Sequence, residues 1–277
     1  MKNYKWFMGI DVSKGKLDIT VLEEGDKVLY EQISNDKEGL QGFIKKLKGH
    51  QGFIWGQCLV CAEHTGIYNA PLLAMAQKYR WDLCLESAVQ IKQSGGLQRG
   101  KNDEVDSYRI ALYAYKNMKF LRLWQPARQV LIKLQKLSGL RCRLTNARNQ
   151  LATALKEDKA FLDKSVTEII QSSCKQSIAA LNADIKLAEK KIKEVIQSDA
   201  ELKRLFDMVE SVPGVGPVIA VEMIATTNEF KNIADPRKYA CYSGVAPFEH
   251  RSGSSVRGRT RTSKKANRYV KSLLEVV

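Results

Sequence analysis

Hydrophobic and polar positions divide the chain into three stretches of different period. In the first, Trp6-Phe7-Met8-Gly9-Ile10 is a short apolar run ending in Asp11. Residues 17–22 alternate, residues 28–33 alternate again, and Gly25-Asp26 lies between them, which predicts three strands joined by tight turns. Residues 36–47 space Leu40, Phe43, Ile44 and Leu47 as one helix face. Residues 57–63 are apolar enough for a strand buried on both sides, as parallel strands are. A helix over about 69–79, a strand at 82–85, a short helical piece and a helix opening at Asp103 complete the stretch.

Three strands, helix, strand, helix, strand, helix is the element order of a ribonuclease H-like α/β fold. Its first and fourth strands lie side by side and parallel, and open α/β sheets place ligands at the C-terminal ends of such strands.

From residue 126 to about 205 the period changes. Val130, Leu131, Leu134 and Leu137, then Leu140, Leu144, Ala147, Leu151 and Leu155, recur every three or four positions. Leu181, Ile185, Ala188, Ile192, Val195 and Ile196 do the same against a Lys/Glu face. Two long amphipathic helices paired as a coiled-coil arm, within or between subunits, are expected. The arm holds sixteen basic and nine acidic residues, so one face could meet DNA or RNA or remain solvated.

The third stretch opens on Val212-Pro213-Gly214-Val215-Gly216-Pro217, a Gly-x-Gly turn entering a helix. It is similar to the turn of helix-hairpin-helix modules, where backbone amides meet a DNA phosphate, which would give Gly214 and Gly216 a binding role. Between His250 and Leu274 there are eight Lys or Arg residues and no Asp or Glu. Arg251, Arg257, Arg259, Arg261, Lys264, Lys265 and Arg268 are the phosphate-binding candidates in that segment.

Composition sharpens this picture. The chain of 277 residues suffices for about two domains, with an ordinary hydrophobic fraction of 44%. Its formal net charge of +15 favours a polyanionic partner, because neutralised phosphates release condensed counterions. No apolar run is long enough to span a bilayer and the opening residues lead straight into a strand, so a cytoplasmic, nucleoid-associated protein of bacterial or archaeal type with no membrane partner is expected. Cys58-x-x-Cys61 has a zinc-ligand spacing, but no second pair follows and both residues read as buried strand positions.

The candidate chemistry lies in four carboxylates. Asp11 and Glu63 fall at the C-terminal ends of the first and fourth strands, while Asp103 and Asp106 share one face in the first turn of the last helix. Gathered carboxylates repel unless a cation neutralises them. Such a set suits two Mg²⁺ ions, with Mn²⁺ as a substitute, that stabilise the attacking and leaving oxygens of an in-line phosphoryl displacement.

Taken together, Gly9-Ile10-Asp11-Val12-Ser13-Lys14, Glu63-His64-Thr65-Gly66-Ile67-Tyr68, Lys101-Asn102-Asp103-Glu104-Val105-Asp106-Ser107, Pro213-Gly214-Val215-Gly216 and Ser243-Gly244-Val245-Ala246-Pro247 leading to Arg251-Ser252-Gly253 resemble the insertion-sequence one-ten transposases. These DEDD transposases, also described as bridge-RNA-guided recombinases, are relatives of the Piv-type DNA invertases. The resemblance implies a RuvC-like catalytic domain over 1–125, a helical coiled-coil segment over 126–205, and a mainly helical C-terminal transposase domain over 206–277. Asp11, Glu63, Asp103 and Asp106 would hold the metal, and Ser252 would be the nucleophile. Ser254 and Ser255 are close rivals and Ser243 a weaker one. The implied mechanism leaves a phosphoserine bond that stores the energy of the broken phosphodiester, and it requires the two domains to close over DNA. Implied partners are DNA, a structured guide RNA and further copies of the chain, as a dimer or tetramer.

Two departures stand out. Asn102 occupies a position where threonine is common, yet it should still cap the helix. The chain stops at Val277 where the family usually continues through another helical stretch, so the C-terminal domain reads either as a shorter variant or as truncated. The same carboxylates also fit a metal-dependent endonuclease or Holliday-junction resolvase in which water is the nucleophile, or a non-catalytic nucleic-acid-binding derivative.

Overall fold

The computed structural model describes residues 2–94, 102–252, 256–262 and 266–275. The chain forms two compact units, Met1–Pro126 and Ala127–Val277.

In the first unit, strands β1 (Trp6–Val12), β2 (Lys16–Glu23) and β3 (Asp26–Ser34) form an antiparallel meander, followed by helix α1 (Lys37–Lys48). Strand β4 (Cys58–Glu63), helix α2 (Ala70–Tyr79), strand β5 (Asp82–Glu86) and helices α3 (Ala88–Ser94) and α4 (Asp103–Asn117) complete the unit. The sheet order is β3-β2-β1-β4-β5, with β4 parallel to both β1 and β5. The parallel pairing of first and fourth strands that the sequence predicts is thus present.

Strand alternation sorts the core into two layers. Trp6, Met8, Ile10 and Val12 face α1 and α2 together with Leu17, Ile19, Val21, Val60 and Leu83. Phe7, Leu59, Cys61 and Cys84 face α4 through Ile110, Ala111 and Ala114. Cys58 belongs to the first layer and Cys61 to the second, because residues three apart on a strand point to opposite faces. Both thiols are buried and free, as the sequence reading expects, and burial pushes both well above the usual thiol range.

The second unit begins with two long helices, α5 (Gln129–Phe161) and α6 (Lys164–Gln197), joined by two residues and packed on one another. Helices α7 (Ala200–Glu210), α8 (Pro217–Thr227) and α9 (Pro236–Ser243) follow. Leu131 and Leu134 from the start of α5 share a core with Ile192 and Ile196 near the end of α6, Leu202 and Val209 of α7, and Val221 and Ile224 of α8. The sequence reading missed a β-hairpin of β6 (Pro247–Ser252) and β7 (Val256–Thr262), which precedes α10 (Arg268–Leu274). The expectation of a mainly helical end holds, with this hairpin added to it. The β7 strand Val-Arg-Gly-Arg-Thr-Arg-Thr offers no apolar alternation from which to infer a strand.

Candidate functional site

The C-terminal ends of β1 and β4 carry Asp11 and Glu63 on the face covered by α4. Alternation fixes that side: Phe7, Gly9 and Asp11 share it on β1, and Leu59, Cys61 and Glu63 share it on β4. Gly9 lets the helix come down. A Cβ there would lie 2.1 Å from the Ala111 backbone nitrogen and 2.3 Å from the Ser107 carbonyl oxygen. The Thr20 and Ser107 hydroxyls, 2.8 Å apart and buried, tie α4 to β2 as well.

The first turn of α4 then brings Asp103 and Asp106 to the strand ends. Asn102 caps it, its side-chain oxygen accepting from the Val105 amide at 2.7 Å, as the sequence predicts. Glu63 is positioned by the loop that follows it. The side-chain amide of buried Asn69 donates to the Glu63 carbonyl at 2.9 Å while its oxygen accepts from the Thr65 amide at 2.7 Å.

The other three carboxylates come close enough to act on Asp11. Burial pushes the Asp11 carboxyl up to about 6, and the negative charges of Glu63, Asp106, Asp18 and Asp103 add to that shift. Glu63 is raised by burial first and by Asp106 second. Two cations already answer part of the charge. Lys16 donates to the Asp103 Oδ2 at 2.5 Å, and Arg109 pairs with Asp106 at 2.9 Å across one helical turn. Among the described residues no three His, Cys, Asp or Glu side chains gather tightly enough to enclose an ion. The donor set is nonetheless all oxygen and anionic. A carboxyl raised to about 6 by burial and further by its like-charged neighbours fits a hard divalent cation, which would relieve that repulsion.

Sequence reasoning missed a fifth carboxylate. Asp18 is the register partner of Asp11, only 1% exposed, and its Oδ1 accepts from the Tyr30 hydroxyl at 2.8 Å and the Gln32 amide at 2.9 Å. Its Oδ2 faces the Lys16 ammonium at 3.5 Å. Tyr30, Gln32, Asp18, Lys16 and Asp103 thus form one continuous chain of contacts. Polar residues at 16, 18 and 20, interleaved with Leu17, Ile19 and Val21, were the available signal, but the same pattern describes a solvent-facing strand.

In the second unit, the glycine turn lies between α7 and α8. Gly214 has φ +87°, Gly216 is the N-cap residue of α8 and Pro217 its first residue. Ser252 is the last residue of β6, in register with Val256, and Arg251 is in register with Arg257. Arg259 and Arg261 are exposed on β7 and Arg268 is exposed at the start of α10. Lys264 and Lys265, with the rival serines Ser254 and Ser255, lie outside the described residues. Ser243, the last residue of α9, is fully buried and donates to the Ala240 carbonyl at 3.2 Å.

Two family profiles match the chain. The profile of DEDD-type IS110 transposases, described as Transposase, matches residues 8–164, and that described as Transposase IS116/IS110/IS902 family matches residues 207–276. The pilin gene-inverting protein of Moraxella bovis is 22% identical over 256 residues, covering 91% of this chain and 75% of that protein. Its counterpart from Moraxella lacunata is 23% identical over 258 residues with the same coverage of 91% and 75%. No helix among the described residues is long and apolar enough to cross a membrane. The chain belongs to the IS116/IS110/IS902 family of transposases, enzymes of DNA transposition and recombination related to the pilin gene inverters.

Proposed function

We propose that this transposase cuts and rejoins DNA by phosphoryl transfer, with a ribonuclease H-like (RuvC-like) first unit supplying Asp11, Glu63, Asp103 and Asp106 and the second supplying Ser252 as nucleophile. The observation that carries the reading is the approach of Glu63, Asp103 and Asp106 to Asp11 at the C-terminal ends of β1 and β4, despite their separation along the sequence. Asp11, which feels all the others, would hold Mg²⁺ or Mn²⁺ together with Glu63, Asp103 and Asp106. Bound there, the cations would supply Lewis-acid stabilisation of phosphate charge.

The chain's own groups would do the rest. The Ser252 hydroxyl oxygen attacks phosphorus and the bond from phosphorus to one sugar oxygen breaks. The departing sugar oxygen takes the bonding pair and, in net, the serine's proton. A phosphoserine link conserves the bond energy, so a sugar hydroxyl of the exchanged strand can reverse the step and restore the serine. Arg251, Arg257, Arg259, Arg261, Lys264, Lys265 and Arg268, with the amides at Gly214 and Gly216, would hold the phosphate backbone. A structured guide RNA would select the target, and a dimer or tetramer would hold the strands to be exchanged. A coiled-coil role for α5 and α6 belongs to the same reading.

A resolvase reading has one observation in its favour: the carboxylates are gathered within the first unit alone. Ser252→Ala separates the two. Under the recombinase reading, covalent protein–DNA adducts trapped by denaturation vanish with that change and strand exchange stops. Under the resolvase reading, Mg²⁺-dependent nicking survives it. Asp11→Asn should abolish both activities. Recovery of one discrete RNA with the purified protein, released by high salt, would support guidance; a heterogeneous or empty eluate would oppose it.

A further inference from the structure

Away from the carboxylates, the first unit presents an aromatic stack edged with cations. Trp55 lies just before β4 and Trp81 just before β5, so both sit at the N-terminal ends of parallel strands. Asp11 and Glu63 occupy the C-terminal ends, roughly 20 Å away along strands of six or seven residues. The Trp55 and Trp81 rings stack with centroids 4.7 Å apart and planes at 4°, and Tyr79 continues the stack on Trp81 at 6.3 Å and 20°. Arg80, at φ +54° and closing α2, turns the chain between Tyr79 and Trp81. Phe53 packs edge-on against Trp55 at 5.0 Å and Trp6 against Phe53 at 5.1 Å, which braces the stack from the core side.

The outer end is partly exposed, with Tyr79 39% exposed and Ile54, which precedes Trp55, 52% exposed. The Lys48 and Lys78 ammoniums lie over the Tyr79 ring, 5.9 and 5.3 Å from its centroid. Lys45 and Lys46 share the last turn of α1 with Lys48, and Lys46 is paired with Glu31. Among the described residues Lys45, Lys48, Lys78 and Arg80 have no carboxylate in ion-pair contact. An aromatic stack whose outer ring carries ammoniums with no carboxylate partner matches one chemistry, a flat nucleobase that takes the ring face while its phosphates draw the ammoniums aside. Bases within a duplex keep their faces stacked, so only unpaired nucleotides can use such a platform.

We infer that the Tyr79–Trp81–Trp55 edge binds single-stranded nucleic acid, stacking an unpaired base on Tyr79 while Lys48, Lys78 and Arg80 meet the adjoining phosphates. The inference takes its class of ligand from the nucleic-acid reading of the protein and is independent of the carboxylates. Unpaired nucleotides of an RNA and a displaced DNA strand offer the same base and phosphate, and the two arms of the test tell them apart.

Full-length protein is titrated against fluorescein-labelled homopolymers of about fifteen uridines or thymidines. Tyr79→Ala should weaken binding about tenfold, whereas Tyr79→Phe should retain it. The pair Lys48→Ala and Lys78→Ala should reduce the slope of log affinity against log salt by about 1.4. Irradiation of homopolymers carrying 5-iodouracil should cross-link Tyr79 in the unaltered chain. Stronger Tyr79-dependent binding of the uridine polymer assigns RNA to the surface, and stronger binding of the thymidine polymer assigns DNA. Unchanged affinity of Tyr79→Ala for both polymers, with cross-links mapping away from Tyr79, overturns the inference; if that variant melts early, the cross-link map decides. Loss of the Tyr79 cross-link with Mg²⁺-dependent nicking intact sinks the stacking surface alone, and loss of nicking with the cross-link intact sinks the carboxylate chemistry alone.

Discussion

Gly9 of β1 and Ala111 of α4 meet at a distance that no side chain can enter, a Cβ at position 9 standing 2.1 Å from the Ala111 nitrogen. The helix that carries Asp103 and Asp106 is seated on that contact. Gly9→Ala should therefore force α4 off the sheet at a cost of about 3 kcal/mol, the upper end for an overpacked core. A lowered thermal midpoint should accompany loss of Mg²⁺-dependent DNA cleavage. A variant that melts and cleaves normally would show that the helix is not held by this approach.

Asp11 makes the cation-free protein sensitive to pH. Because its folded carboxyl is raised to about 6 from the ordinary 3.8, the folded chain binds more protons between those values than the unfolded chain does. Stability should thus fall as pH rises through that window and the Asp11 contribution should level off above it. Asp11→Asn should be more stable than the unaltered protein at pH 7 without divalent cations. Melting curves should converge only well below pH 3.8, where the aspartate is protonated in both states. Saturating Mg²⁺ should raise the melting point of the unaltered protein above pH 6 and leave Asp11→Asn unmoved.

Lys16 should compete with the cations. Its ammonium pairs with Asp103 and faces buried Asp18, so it offsets charge that a divalent ion would otherwise meet. Lys16→Met should lower the melting point without divalent cations and tighten Mg²⁺ binding by roughly tenfold, as expected when a unit positive charge leaves the vicinity. Lys16→Arg should restore the unaltered behaviour in part. Calorimetric Mg²⁺ titration reads the difference, and weaker binding by Lys16→Met would mean that the lysine orients Asp103 instead.

How much of this was legible in the sequence follows from which interactions are local. Residues 6–12, 16–23, 26–34 and 58–63 declare themselves as strands by their apolar runs and alternation, and Asp11 and Glu63 stand out as charges ending such runs. Asn102 announces the start of α4 through a capping bond made within three residues. Asp18 was illegible because its burial depends on α4, an element distant in the chain that covers a strand face with ordinary polar alternation. Lys16 was hidden for the same reason, since its partner Asp103 arrives with that helix. In the second unit, β6 and β7 pair residues that carry little apolar signal, so the hairpin arises from backbone pairing that a hydrophobic pattern does not encode. The basic character of that segment was plain, and its geometry was not.

Arg128 fastens the start of α5 to the rest of the second unit. Its guanidinium pairs with Asp199, the N-cap of α7, at 2.7 Å and with Glu229, just past the C-terminus of α8. Glu229 sits in the middle of Asn228, Glu229 and Phe230, which have φ of +52°, +57° and +61°. Three successive left-handed residues without glycine cost about 1 kcal/mol or more each, so the run persists only while its surroundings hold it. Arg128 depresses the Glu229 carboxyl by hydrogen bonding, and Lys231 adds a second contact at 2.9 Å. Arg128→Ala should cost about 3 kcal/mol near neutral pH, because Glu229 would stay buried with Lys231 alone. Arg128→Lys should recover only part of that loss, since an ammonium cannot span both carboxylates as a planar fork does. A carboxyl depressed on folding contributes stability above its ordinary value of 4.5 and loses it as pH falls. Denaturant melts of the unaltered protein and Arg128→Ala should therefore draw together as the solution is acidified below that value, while a difference that persists undiminished would show that packing of the arginine, and not its charge, secures the turn.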